Sequence, residues 1–130
     1  MKKAMKILII DDEELICWAL RRSFERLGSI SVHCAYSAAE AMRNLHEHQY
    51  DVIITDLRLP DAQGLEIVRM IQETASDTNV IVISSDVSVE MEKSMLSQGI
   101  VRCLSKPFDI HDVLHEAGEA AGWKSRTLPS

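Results

Sequence analysis

The chain has 130 residues, enough for one domain with a buried core and too few for two of ordinary size. Its 46% hydrophobic and 26% charged residues fit a globular protein, and no apolar run approaches the ~20 residues that span a bilayer. A formal net charge of −6 argues against a direct nucleic-acid surface, which needs clustered Lys and Arg.

The basic start Met1-Lys2-Lys3 is followed by Lys6 and a run of acids at 11 to 14, which is no secretory signal. Cys17, Cys34 and Cys103 are odd in number and widely spaced, without a C-x-x-C pair. Reduced thiols of a cytoplasmic protein, serving as small packing residues, are expected rather than a disulfide frame or zinc site.

Lys6-Ile7-Leu8-Ile9-Ile10 predicts a strand buried on both faces, ending at Asp11-Asp12-Glu13-Glu14. Ile16, Ala19, Leu20, Ser23, Phe24 and Leu27 then share one helical face, and Gly28 stops the helix. Trp18, Arg21, Arg22 and Glu25 fall off that stripe. Ile30 to Ala35 reads as a second strand. Ser37-Ala38-Ala39-Glu40 is a capping-box pattern for a helix that carries Ala38, Ala41, Met42 and Leu45 inward.

Val52 to Thr55 predicts a third strand that runs straight into Asp56, followed by Pro60 and Gly64 in a turn-prone segment. A helix from Gly64 to about Thr74 uses Leu65, Ile67, Val68 and Ile71. Val80 to Ile83 is a fourth strand, ending at Ser84-Ser85-Asp86. The next helix, from about Ser88 to Gln98, spreads Val89, Met91, Met95 and Leu96 round more than one face, so it either packs deeply or offers apolar surface to a partner. Val101 to Leu104 forms a short fifth strand before Ser105-Lys106-Pro107. Asp109 caps a last helix, with Ile110, Val113, Leu114, Ala117, Gly118 and Ala121 at helical spacing and Gly122 as its stop. Trp123 to Ser130 is an unpatterned tail or the start of a linker.

Five apolar strands alternating with five helices define an α/β fold: a doubly wound parallel sheet with right-handed crossovers. All C-terminal strand ends then lie on one edge, where open α/β sheets bind ligands. They bring together Asp11 and Asp12, Asp56, Ser84 and Lys106. Each has an ordinary reading alone, as a capping acid, a turn residue or a solvated lysine. Four strand ends contributing chemistry at once is hard to explain by packing. Three close carboxylates repel unless a cation is present, and an all-oxygen set suits Mg²⁺. Asp56 can then act as a nucleophile toward phosphorus, with the ion, Lys106 and Ser84 neutralising phosphoryl oxygens. His111 and His115, at i and i+4 on the last helix, read as surface residues more readily than as a metal pair.

These residues, Asp11-Asp12, Asp56-Leu57-Arg58-Leu59-Pro60 with Gly64, Ser84 and Lys106-Pro107-Phe108, in this order and spacing, resemble a response-regulator receiver domain of bacterial two-component signalling. The resemblance covers roughly residues 5 to 121, and the domain is taken as 1–122. It implies a flavodoxin-like sheet of strand order 2-1-3-4-5 and Asp56 as phosphoacceptor, charged by a sensor histidine kinase or a phosphotransfer protein. It also implies Mg²⁺ held by Asp12, Asp56 and the backbone carbonyl of Arg58, with Asp11 acting through water. Ser84 and Lys106 are the implied phosphoryl-contacting switch residues. The output face is that of the fourth helix, fifth strand and fifth helix, read by a partner, a second copy of the chain or a C-terminal output domain.

Cys103 departs from the family, which usually has Tyr or Phe three residues before the lysine and swings it inward on activation. The signal then leaves by another route, the segment Ser84 to Val89 being the preferred one, or Cys103 simply fills the pocket. Arg58 and Asp86, two residues beyond Asp56 and Ser84, are expected to flank the mouth of the site. They either pair across it and slow hydrolysis of the acyl phosphate, or stand as separate solvated side chains. Two other readings are a small Mg²⁺-dependent phosphatase of the aspartyl-nucleophile type and an interaction-only receiver. Arg58, where a phosphatase needs a second acid, argues against the first; the intact acid pair, Asp56, Ser84 and Lys106 argue against the second. The chain is expected to be a switch that assists its own phosphorylation, not a conventional enzyme.

Overall fold

A computed structural model describes residues 5–85, 87–97, 100 and 102–122. In chain order the elements are β1 (Met5–Ile10), α1 (Glu14–Glu25), β2 (Ile30–Ala35), α2 (Ala38–Glu47), β3 (Val52–Thr55), β4 (Arg58–Leu59), β5 (Ala62–Gln63), α3 (Leu65–Thr74), β6 (Asn79–Ser84), α4 (Val89–Ser97), β7 (Arg102–Ser105) and α5 (Ile110–Ala121). β2, β1, β3, β6 and β7 form one parallel sheet in that order. Among the sheet strands alone, this is the expected 2-1-3-4-5.

The pleat sorts each strand between two cores. Leu8 and Ile10 of β1, Ile53 of β3 and Val80 and Val82 of β6 face α2 and α3 with Met95 of α4. Ile7, Ile9, Val52, Ile54, Ile81 and Ile83 face Cys17, Leu20 and Phe24 of α1 and Val113, Leu114 and Ala117 of α5. The three central strands are therefore buried on both faces, as their unbroken apolar runs require. The edge strands are not. β2 alternates and β7 is exposed or half-buried throughout, because an edge strand has one neighbour and the flanking helices cover it incompletely.

Several local readings shift in register. The buried stripe of α1 is Cys17, Leu20 and Phe24, with Ile16, Ser23 and Leu27 at its margin. Trp18 is 60% exposed, with the Arg22 guanidinium carbon 5.1 Å from its ring centre. In α4 only Met95 is buried, while Val89 and Leu96 face solvent. The fifth sheet strand begins at Arg102; Val101 and the tail 123–130 lie outside the described residues.

The segment after β3 is a small antiparallel ribbon, β4 with β5, rather than a plain turn. Gly64 ends it at φ 61°, a backbone conformation that L side chains rarely adopt, and its N–H donates to the Leu57 carbonyl at 2.8 Å. The capping box on α2 forms in altered shape. Ser37 Oγ accepts from the Glu40 N–H at 3.2 Å, but Glu40 reaches back to the N–H of Tyr36, not of Ser37. The next two amides, of Ala38 and Ala39, donate to the carboxylate of Asp61 at 2.7 and 3.0 Å.

No helix of the described residues is long and apolar enough to cross a membrane.

Candidate acidic site at the C-terminal sheet edge

β1, β3, β6 and β7 end at one level, because in a parallel sheet the register carries every chain the same way. The Asp11 N–H donates to the Ala35 carbonyl at 3.0 Å, the Asp56 N–H to Ile10 at 2.9 Å and the Lys106 N–H to Ser84 at 3.0 Å. The sheet ladder thus continues one residue past each strand and fixes Asp11, Asp56 and Lys106 by their backbones. The Lys106–Pro107 peptide is cis.

The ammonium of Lys106 sits among three carboxylates. Its Nζ is 2.7 Å from Asp56 Oδ2, 2.9 Å from Asp11 Oδ2 and 2.5 Å from Glu13 Oε2. Only 12% of the lysine side chain is exposed, so the solvated reading of this residue fails. Burial opposes its charge, but the hydrogen bonds to Asp56 and Glu13 and the charge of Asp11 outweigh that, and its pKa is raised.

Asp56 is buried and held by its other oxygen. Oδ1 accepts from the amides of Leu57 at 2.6 Å and Arg58 at 3.1 Å. Thr55, also buried, donates its hydroxyl to the Asp56 carbonyl at 2.8 Å. The carboxylate therefore has a fixed orientation at the sheet edge.

Asp11 is wholly buried. Its Oδ1 accepts from the Glu13 amide at 2.9 Å, whereas Oδ2 has no hydrogen-bond donor. The 2.9 Å approach of Lys106 supplies charge but not alignment. Burial raises the Asp11 pKa above its ordinary value, against the opposing pull of the Glu13 amide and Lys106. Asp12 is exposed, and one oxygen each of Asp11, Asp12 and Asp56 lie within 4.8 Å of one another. Among the described residues this is the one group of three acidic or metal-ligating side chains so arranged. An all-oxygen set with a buried, undonated carboxylate oxygen fits a hard divalent cation.

Ser84 is buried at the end of β6, beside Lys106. Arg58 is exposed on β4. Asp86, expected to flank the mouth with it, lies outside the described residues. Cys103 pairs in register with Val82 and is half-buried against the core on the α4 side, which includes Met91 and Met95. Burial pushes its thiol up to about 11. Its side chain packs against that core. His111 and His115 are exposed, and His115 lies 3.8 Å from Glu119 on its own helix.

The sequence reading missed Glu13. It passed for one more acid at the start of α1, yet it makes no side-chain cap there and turns to Lys106 instead. The acid run is the only signal of it. A cavity of about 480 Å³ opens beside this pair, lined by Glu13, Ile16, Ser85, Lys106, Pro107 and Phe108. A larger one, about 620 Å³, is lined by residues 45–50 and 74–78 at the opposite edge of the sheet, away from every acid named above.

A buried acid at one strand end, held against a lysine from another across a five-stranded parallel sheet, is the arrangement of the receiver class. Residues 7–117 match the model of the response regulator receiver domain, and the chain belongs to that family. It is 31% identical over 110 residues to the response regulator MprA of Mycobacterium avium, which covers 85% of this chain and 48% of that protein. It is 30% identical over 108 residues to the DNA-binding transcriptional regulator NtrC of Proteus hauseri, covering 83% of this chain and 23% of that one. A response regulator receiver domain structure from Clostridium thermocellum superposes with a TM-score of 0.81 at 28% identity, covering 91% of this chain and 94% of the other. The chain spans less than half the length of these two curated relatives.

Proposed function

We propose that this receiver domain, taken as residues 1–122 of a cytoplasmic protein, accepts a phosphoryl group on Asp56. The donor is a phosphohistidine of a sensor kinase or phosphotransfer protein. The observation that carries the reading is the pairing of Asp56 with Lys106 at 2.7 Å while Leu57 and Arg58 amides orient the carboxylate. A nucleophile needs such fixed orientation, and phosphoryl transfer asks mainly for positioning and charge neutralisation.

Asp11, Asp12, Asp56 and the Arg58 carbonyl would hold Mg²⁺, which when bound supplies positive charge to the phosphoryl oxygens. The undonated Oδ2 of Asp11 supports this fit. In the transfer, an Asp56 carboxylate oxygen bonds to phosphorus as the phosphorus–nitrogen bond to the donor imidazole breaks. Lys106 exchanges its carboxylate partners for a phosphoryl oxygen, and the Ser84 hydroxyl donates to another. Arg58, exposed on β4, flanks the opening through which the hydrolytic water enters.

The rearrangement passes to the α4–β7–α5 face, which is read by a second copy of the chain, a partner or an output domain. The weak burial of α4 and the exposed Val89 and Leu96 support that face. The segment Ser84 to Val89 carries the signal in place of an aromatic at Cys103.

Incubation with Mg²⁺ and acetyl phosphate, followed by intact mass, tests the reading. One nucleophile predicts a single adduct of about 80 Da that is absent in Asp56→Ala. No adduct on the wild-type chain, or one that survives Asp56→Ala, refutes it.

A further inference from the structure

Glu13 follows the acid pair directly and touches Asp11 through its backbone and Lys106 through its side chain. Its amide donates to Asp11 Oδ1 at 2.9 Å. Its carbonyl accepts from the Ile16 and Cys17 amides at 3.1 and 3.2 Å, which fixes the residue at the start of α1. The side chain makes no cap on that helix. Instead Oε2 accepts from Lys106 Nζ at 2.5 Å, although 57% of the glutamate side chain is exposed. A pair so open to solvent adds little stability, so stability does not account for the contact.

The direction of the ammonium does. Lys106 donates to Glu13 and, at 2.7 Å, to Asp56 Oδ2. Asp11 Oδ2 lies 2.9 Å from the same nitrogen yet receives no hydrogen bond. Among the described residues it is the one buried side-chain nitrogen or oxygen without a partner. The three N–H bonds of an ammonium point to tetrahedral corners, so alignment on Glu13 and Asp56 turns the nitrogen off Asp11. An undonated oxygen in a wholly buried side chain is costly unless something else comes to it. Without Glu13 the donor at hand is Lys106 itself, and the cavity that the two residues line with Ile16, Ser85, Pro107 and Phe108 leaves its ammonium room to turn.

We propose that Glu13 is a positioning residue that draws the Lys106 ammonium off Asp11 Oδ2 and so keeps that oxygen open for the divalent cation. The inference rests on the assignment of Mg²⁺ to Asp11, Asp12 and Asp56 above. One residue then sets both oxygens of Asp11: its amide occupies Oδ1 and its carboxylate clears Oδ2. In its absence Lys106 turns to Asp11. The cation then has to displace a charge-assisted hydrogen bond before that oxygen serves it, directly or through a water. Partners one step removed from a metal change its affinity on the order of tenfold.

The test uses the full chain with no phosphodonor, and Kd for Mg²⁺ is read from the rise of Tm with ion concentration. Glu13→Ala should raise Kd on the order of tenfold. In a Lys106→Met background the same substitution should move Kd by about twofold or less, because the lysine through which Glu13 acts is gone. A loss of affinity that persists undiminished in Lys106→Met shows Glu13 acting on the ion by its own charge or through a bound water, and overturns the proposal. So does a Kd for Glu13→Ala within about twofold of wild type. A wild type that does not respond to Mg²⁺ refutes the assigned ion and the proposal with it, so the wild-type titration tells the two failures apart. A crystal structure of the metal-free Glu13→Ala chain gives a second reading that needs neither Lys106→Met nor the ion. Lys106 Nζ should donate to Asp11 Oδ2 there; a nitrogen still turned away from that oxygen overturns the proposal.

Discussion

Lys106 is the residue on which the acidic site depends for its stability, and Lys106→Met tests this with little change in side-chain length. The wild-type ammonium faces Asp11 and Asp56, whose side chains are 0% and 7% exposed, and Glu13, 57% exposed. The Glu13 contact is screened and contributes little. The other two are nearly dry, and removing one partner of such a pair leaves uncompensated buried charge, a loss of about 3 kcal/mol. For a chain of this size, that lowers Tm by roughly 10 °C in metal-free buffer at neutral pH.

The pH dependence has a definite sign. The folded pKa of Asp11 already lies above its ordinary 3.8 because of burial, and Lys106 holds it down. An acid with a raised folded value binds protons more tightly when folded, so it opposes folding increasingly as pH rises past 3.8 through the folded value. Without Lys106 the folded value rises further. The Tm deficit of the variant should therefore be small near pH 4, widen with pH and level off toward neutrality. Paired thermal melts of wild type and Lys106→Met across this range measure it. A deficit that is the same at pH 4 and pH 7, or below about 1 kcal/mol at neutrality, refutes the assignment of Lys106 as counter-charge to buried acids.

Three further outcomes follow from named contacts. Magnesium should stabilise the wild type, by about 2.7 kcal/mol at a hundredfold excess over Kd, and Asp12→Asn should need on the order of tenfold more ion for the same Tm. Gly64→Ala should cost about 1–3 kcal/mol of stability in urea titrations; a Cβ there meets nothing within 4 Å, so the loss is purely one of backbone conformation. Asp61→Ala should speed hydrogen exchange of the Ala38 and Ala39 amides at neutral pH. Those amides lower the Asp61 pKa below its ordinary 3.8. The protection is therefore present above that value and disappears as pH falls through the folded one.

The main lines of the fold were legible because central parallel strands demand long apolar runs, and Ile7 to Ile10, Val52 to Thr55 and Val80 to Ile83 supply them. Asp56 was legible for the complementary reason: a charged residue directly after such a run has no core role. Glu13 and Asp61 were not, since their partners are set by tertiary approach across 93 and 22 or more residues of chain, and sequence spacing carries no trace of it. The exposure of β7 was missed because apolar content does not say which strand falls at an edge. The mixed pattern of α4 left two readings open, and its single buried Met95 favours the one with surface to spare.

Asp61 has a consequence beyond capping. It stands in the connection between β4 and β5 and grips the first turn of α2, while the same ribbon begins at Arg58, whose amide together with that of Leu57 holds the Asp56 carboxylate. Asp56, the ribbon and α2 are thereby clamped into one block. On the other flank, α4 is anchored by one buried side chain and β7 by one neighbouring strand. The two flanks of the sheet are thus held unequally, the α2 side by a carboxylate clamp and the α4–β7 side by sparse packing.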